Sequence, residues 1–134
     1  MYVRKAWAVF FLPLALLACE KHGDGALGVA RGFLDSHYVR MDLPAARTLC
    51  TGLAERKVAE EIELTRGHPI DESTRVPRVR YRLLETREHG ADRVSFVFLG
   101  SVEVPEGGSF TRRWLVTARR MPEGWRVSNY QEFE

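Results

Sequence analysis

The chain has 134 residues, 45% of them hydrophobic, with 20 basic against 18 acidic side chains. That length suits one domain with its own core, and the near-balance of charge excludes a bulk electrostatic partner such as nucleic acid. Arginine outnumbers lysine, which in a balanced chain reads as genomic composition rather than phosphate binding.

The first segment is an address. Arg4 and Lys5 precede an uncharged apolar run from Ala6 to Leu17, closed by Leu16-Leu17-Ala18-Cys19. A basic start, a short apolar stretch and a small residue before the cut make a secretory signal peptide, and the run is short for a bilayer core of ~30 Å. A plain signal cut beside Ala15 or Ala18 and an uncleaved anchor are the competing readings, although Pro13 and the Glu20-Lys21-His22 step favour a segment that ends sharply. The final four residues resemble the lipobox of bacterial lipoproteins. That resemblance implies removal of residues 1–18, lipid attachment at Cys19 and a short tether over 19–25. Glu20 in the second mature position, where aspartate would mark inner-membrane retention, implies an outer membrane facing the periplasm if the cell has one. Arg4 and Lys5 leave with the signal, so the remaining charges balance. With Cys19 acylated, Cys50 is the only thiol and no internal disulfide forms. Its neighbours Leu49 and Leu53 make it a small buried hydrophobe.

The remainder, 26–134, reads as a single α+β domain whose apolar period changes near Gly67. Ala26, Ala30, Phe33, Leu34, His37, Tyr38 and Met41 recur at three- and four-residue steps, predicting one buried face on a helix of about four turns, with Asp24 as N-cap. A short second helix starts at the cap Asp42, tolerates Pro44 in its first turn and stops near Gly52. A third runs from Leu53 to Arg66 with Ala54, Val58 and Ile62 on one side, and Gly67 ends it. His68 to Pro77 is a polar connector.

After Pro77 the period is two. Val79, Tyr81 and Leu83 alternate with Arg78, Arg80 and Arg82. Val94 to Val104 follows, then Phe110, Trp114, Val116 and Ala118, and finally Trp125 and Val127. Turns at His89–Asp92, Pro105–Gly108 and Pro122–Gly124 join them into an antiparallel four-stranded meander. The length of the middle strands predicts strong curvature, with Gly100 as a bulge or bend. N-terminal helices packed on a curved meander give the α+β class.

Ala30-Arg31-Gly32-Phe33-Leu34-Asp35-Ser36-His37-Tyr38, then Met41-Asp42-Leu43-Pro44-Ala45-Ala46-Arg47, and the terminal Trp125-Arg126-Val127-Ser128-Asn129-Tyr130 resemble the nuclear transport factor 2-like (SnoaL-like) superfamily of cone-shaped, cystatin-like domains. The chain is similar in particular to its small bacterial lipoproteins of uncharacterised function. The resemblance covers about residues 26–132 and implies fold, not activity.

Enzymes of that superfamily use an Asp, His or Tyr against an apolar pocket. The ingredients here are Asp35, His37 and Tyr38. Two residues apart on a helix, Asp35 and His37 point to different sides and make no ready dyad, and a histidine on an apolar stripe is commonly a satisfied core group. No catalytic residue, metal-ligand spacing, phosphate loop or cofactor motif is assigned. Phe33, His37, Tyr38, Tyr81, Phe96, Phe98, Trp114 and Trp125 are the pocket or core lining. Arg78, Arg80 and Arg82, with Arg75 upstream, are a candidate anion patch, although the solvated face of an edge strand matched by Glu85 and Glu103 would look the same. The leading reading is therefore a non-catalytic envelope lipoprotein. Its partners are membrane lipid through Cys19 and a small apolar ligand or a protein at the curved sheet or cone mouth, and a homodimer stays open. The alternative is a SnoaL-like enzyme using His37 or Asp35 for acid–base chemistry.

Overall fold

The computed structural model describes residues 25–68 and 76–134. The signal peptide, Cys19, the Asp24 cap and Arg75 lie outside the described residues.

Helix α1 spans Ala26–Leu34 with Gly25 at its N-cap, and buries Val29, Ala30, Phe33 and Leu34. The expected single helix does not continue to Met41. Over Asp35–Val39 the chain widens into a π turn, in which the Arg40 N–H donates to the Asp35 carbonyl at 2.9 Å. Met41 then adopts a left-handed φ of 53°, uncommon outside glycine, and ends the helix. The wider turn rotates its side chains away from an uninterrupted α-helical path. Helix α2, Leu43–Thr48, starts as the sequence predicts: Asp42 Oδ1 accepts the Ala45 N–H at 3.0 Å, with Pro44 in the first turn. Helix α3 is Gly52–Thr65, burying Ala54 and Val58, and Gly67 follows with φ 85°.

Strands β1 (Arg78–Glu88), β2 (Arg93–Val104), β3 (Gly108–Met121) and β4 (Gly124–Phe133) form an antiparallel meander in the order β1-β2-β3-β4. Two register shifts bend it, at Leu83/Glu85 between β1 and β2 and at Thr117/Ala118 between β3 and β4. An extra residue on one strand increases local twist, so the curvature resides at Leu84 and Ser128. Gly100 is not the bend. Its pairing with Tyr81 and Arg112 is regular, and a Cβ there would lie 2.2 Å from the Trp114 ring. Glycine is required at that position because the indole lies against its backbone.

The helices pack on one face, which carries Phe96, Phe98, Trp114, Val116, Ala118, Val127 and Tyr130. Phe33 and Phe98 are fully buried and join α1 to the sheet. The α2–α3 junction is tied to β4: Thr51 N–H donates to the Val127 carbonyl, and Val127 N–H to that of Leu49, both at 2.8 Å.

Truncating Phe33 or Phe98 to Ala should cost about 3–5 kcal/mol by urea denaturation. A loss under about 1 kcal/mol would show that these rings do not carry the helix–sheet contact.

Candidate functional site

The π turn sends its side chains to three places. Asp35 faces β1, where the Tyr81 hydroxyl donates to Asp35 Oδ1 at 2.7 Å. His37 turns the opposite way, and its Nε2 lies 2.7 Å from Glu61 Oε2 on α3. Tyr38 stacks on Trp114, with ring centroids 4.3 Å apart and planes at 18°.

Glu61 holds the second of these together. One carboxylate oxygen takes His37, and the other accepts the Tyr130 hydroxyl from β4. On the same helix Lys57 donates to Asn129 Oδ1 at 2.8 Å and to the Tyr130 carbonyl at 2.7 Å. The rings of Phe33, Tyr38 and Tyr130 pack around the imidazole at 4.3–5.2 Å, so its side chain is only 10% exposed. With Nε2 donating to the carboxylate, His37 Nδ1 is buried without a protein partner.

These surroundings bias each group away from proton transfer near neutrality. Burial pushes the Tyr38 hydroxyl up, helped by the charges of Glu132 and Glu61. Burial also raises Tyr130 and Tyr81, reinforced by their hydrogen bonds to Glu61 and Asp35. All three phenols therefore remain hydrogen-bond donors. Burial, with Glu55 and Glu61 nearby, pushes the Cys50 thiol up to about 12, and it donates to the Ala46 carbonyl. Glu61 moves the other way. Burial acts to raise it, but hydrogen bonds from His37 and Tyr130 and the charges of His37 and Lys57 hold it below the carboxylate's ordinary 4.5.

The open space lies elsewhere. A cleft of about 550 Å³ runs between α1 and β1, lined by Gly28, Val29, Arg31, Gly32 and Asp35, by Leu49, and by Tyr81, Arg82 and Leu83. Val29, Leu49 and Leu83 give it apolar lining beside the hydrogen-bonded Asp35–Tyr81 pair, and the charge of Arg31 lies close to Tyr81. His37 does not line it. Among the described residues no group of His, Cys, Asp and Glu is arranged to hold a metal ion.

Phe33, Phe96, Phe98 and Trp114 sit in the core, and Tyr38, Tyr81 and Trp125 pack against it half-buried. Trp114 is 1% exposed, so it lines no open mouth; its Nε1–H donates to Glu132 Oε2 at 2.9 Å beneath the Tyr38 ring. Arg78, Arg80 and Arg82 are exposed on the face away from the helices, opposite Glu103, Ser101 and Leu99. Glu85 is not their counter-ion, since it pairs with Arg87 at 2.8 Å. Glu61, Tyr130 and Glu132 were not singled out in the sequence. Glu61 has a signal there, three residues after Val58 and seven after Ala54 on the buried face of α3. Tyr130 has none, because the irregularity at Ser128 shifts the phase set by Trp125 and Val127.

No family model matches the chain, and no curated protein does. Solved structures do. A nuclear transport factor 2-like protein of unknown function from Shewanella oneidensis aligns at 10% identity with a TM-score of 0.59, over 79% of this chain and 93% of that one. A ketosteroid isomerase-like protein from Erwinia carotovora atroseptica aligns at 17% and 0.57, over 85% and 95%. The association domain of CaMKII from C. elegans aligns at 17% and 0.51, over 79% and 90%. Such likeness identifies the fold, a nuclear transport factor 2-like α+β cone, and not the activity.

Since Glu61 titrates lower when folded than when unfolded, its ionised form stabilises the fold above about pH 4.5, and this contribution is lost as pH falls through the folded value. Glu61→Gln should therefore reduce stability at pH 6 and shrink the difference between pH 6 and pH 3 in urea melts. An unchanged difference would mean that the carboxylate does not couple α3 to His37 and Tyr130.

Proposed function

We propose that this protein is a lipid-anchored envelope protein, attached through Cys19, whose domain binds a small ligand or a partner protein in the cleft between α1 and β1 and catalyses no reaction. One observation carries the non-catalytic part. His37, the candidate acid–base group, is enclosed by three rings, bonded to Glu61 and absent from the cleft lining. The cleft supplies apolar lining, a hydrogen-bonded Asp35–Tyr81 pair and the cation Arg31, a set that orients a ligand with an apolar body and an acidic end. The neighbours of this fold include an association domain, which accords with a binding role.

Acid–base chemistry with His37 or Asp35 is the second reading. It is favoured by the carboxylate 2.7 Å from His37 and by the unpartnered Nδ1. Complementation of a deletion strain separates the two. Asp35→Asn keeps an acceptor for Tyr81, and His37→Gln keeps a donor for Glu61, so both should complement nearly normally. Arg31→Glu should lose function while remaining folded by circular dichroism. If either conservative change abolished function in a folded, anchored protein, the enzymatic reading would replace ours, since loss of an essential acid or base costs about 10²–10⁴ in rate.

Anchoring is tested separately. Cys19→Ser should leave the precursor uncleaved and unlabelled by an alkyne fatty-acid probe. Equal labelling of wild type and variant would overturn attachment at Cys19.

A further inference from the structure

At the end of the sheet that holds the β3–β4 turn, the register places Arg93 opposite Arg119, and Arg119 opposite Arg126. Three arginines thus form one row across β2, β3 and β4, on the face away from the helices. Like charges directly opposite each other oppose strand pairing, so this row is not explained by folding. The acids Asp92 and Glu123 are close in sequence, yet none of the three arginines makes an ion pair among the described residues. The nearby Arg87 is taken up by Glu85. At the same end but on the helix-facing side of the sheet, the Arg120 guanidinium lies 5.1 Å from the centre of the half-buried Trp125 ring.

The start of α1 lies at this same end. Tyr38 stacks on Trp114, while Phe33 packs 4.8 Å from Tyr130, whose partner Val116 is further along β3 toward the turn. Gly32 abuts Leu49, which is hydrogen-bonded to Val127, and Val127 pairs with Ala118, further still. Following α1 back to Gly25 therefore leads to the β3–β4 end. A tether over 19–25 reaches at most about 25 Å when fully extended, so an anchored domain would keep this end near the bilayer.

We propose that the β3–β4 end, with the Arg93–Arg119–Arg126 row on one face of the sheet and Arg120 and Trp125 on the other, docks end-on against anionic phospholipid headgroups and sets the domain on the membrane with that end down. Arginines supply the attraction to an anionic leaflet, and an indole with one polar edge suits the headgroup level. The proposal rests on the anchoring reading for its placement, not for its chemistry.

The test uses the full chain carrying Trp7→Phe, which leaves Trp114 and Trp125 as its tryptophans. It is mixed with brominated-chain vesicles of phosphatidylcholine alone or with phosphatidylglycerol. The buried Trp114 should not respond. Trp125 fluorescence should be quenched about twofold more strongly in the anionic vesicles, and Arg93→Gln, Arg119→Gln and Arg126→Gln together should remove that difference. The triple variant should melt no lower than its parent, since cross-strand repulsion is relieved. Equal quenching in both vesicles, or a difference that survives the triple change, overturns the docking. Should the chain fail to float with phosphatidylcholine vesicles, the anchoring reading falls. Docking then stands if the chain floats with phosphatidylglycerol vesicles and the triple change abolishes it, and falls if the chain floats with neither.

Discussion

A single carboxylate joins the layers of this domain. Glu61 receives a hydrogen bond from His37 at the end of the first helical segment and another from Tyr130 on β4, while Lys57, one turn earlier on α3, holds the backbone of that same strand. Ionised groups are rarely placed inside a fold unless partners replace the water they lose. Here the partners come from two other elements, the π turn and β4, so the one carboxylate fixes α3 to both. The apolar contacts supply most of the burial, and the Glu61 cluster determines which helix lies over which strand.

In this arrangement the proximity of acid–base groups is poor evidence of chemistry. Histidine, tyrosine and a carboxylate are all present within hydrogen-bonding distance, yet each is committed to another. Burial and acidic neighbours keep the phenols protonated, and rings close off the imidazole. The open cleft instead borders the Asp35–Tyr81 pair on the other side of α1.

The fold was largely legible in the residues because its signals are local. Asp42 and Pro44 announce α2, the alternation from Val79 to Leu83 announces β1, and the Gly and Pro turns separate the strands. What escaped depends on the third dimension. The helical period through Tyr38 and Met41 gives no sign of a π turn, since the repeat of apolar residues tolerates one widened turn. Gly100 reads as a bend by composition, but its role is set by Trp114, a residue on a neighbouring strand. The irregularity at Ser128 reverses the inward phase of β4, and so hides Tyr130, half of the Glu61 cluster, from any count by twos. The candidate site was less legible still, because a cleft is a relation between α1 and β1 that neither segment shows alone.

The pairing of the α2–α3 junction with Val127 gives the sheet an asymmetry. A sheet edge is a row of unsatisfied amides and carbonyls, open to recruitment by any extended chain. On β4 that row is interrupted, because Leu49 and Thr51 occupy the hydrogen-bonding positions of Val127. Among the described residues the free margin is therefore β1. There the misregister at Leu84 breaks the even ladder a foreign strand would need, and alternating arginines would face their own kind if a second copy paired antiparallel with it. A sheet stoppered on one side and irregular on the other can be held at high local concentration on a surface without its copies stitching together through their backbones.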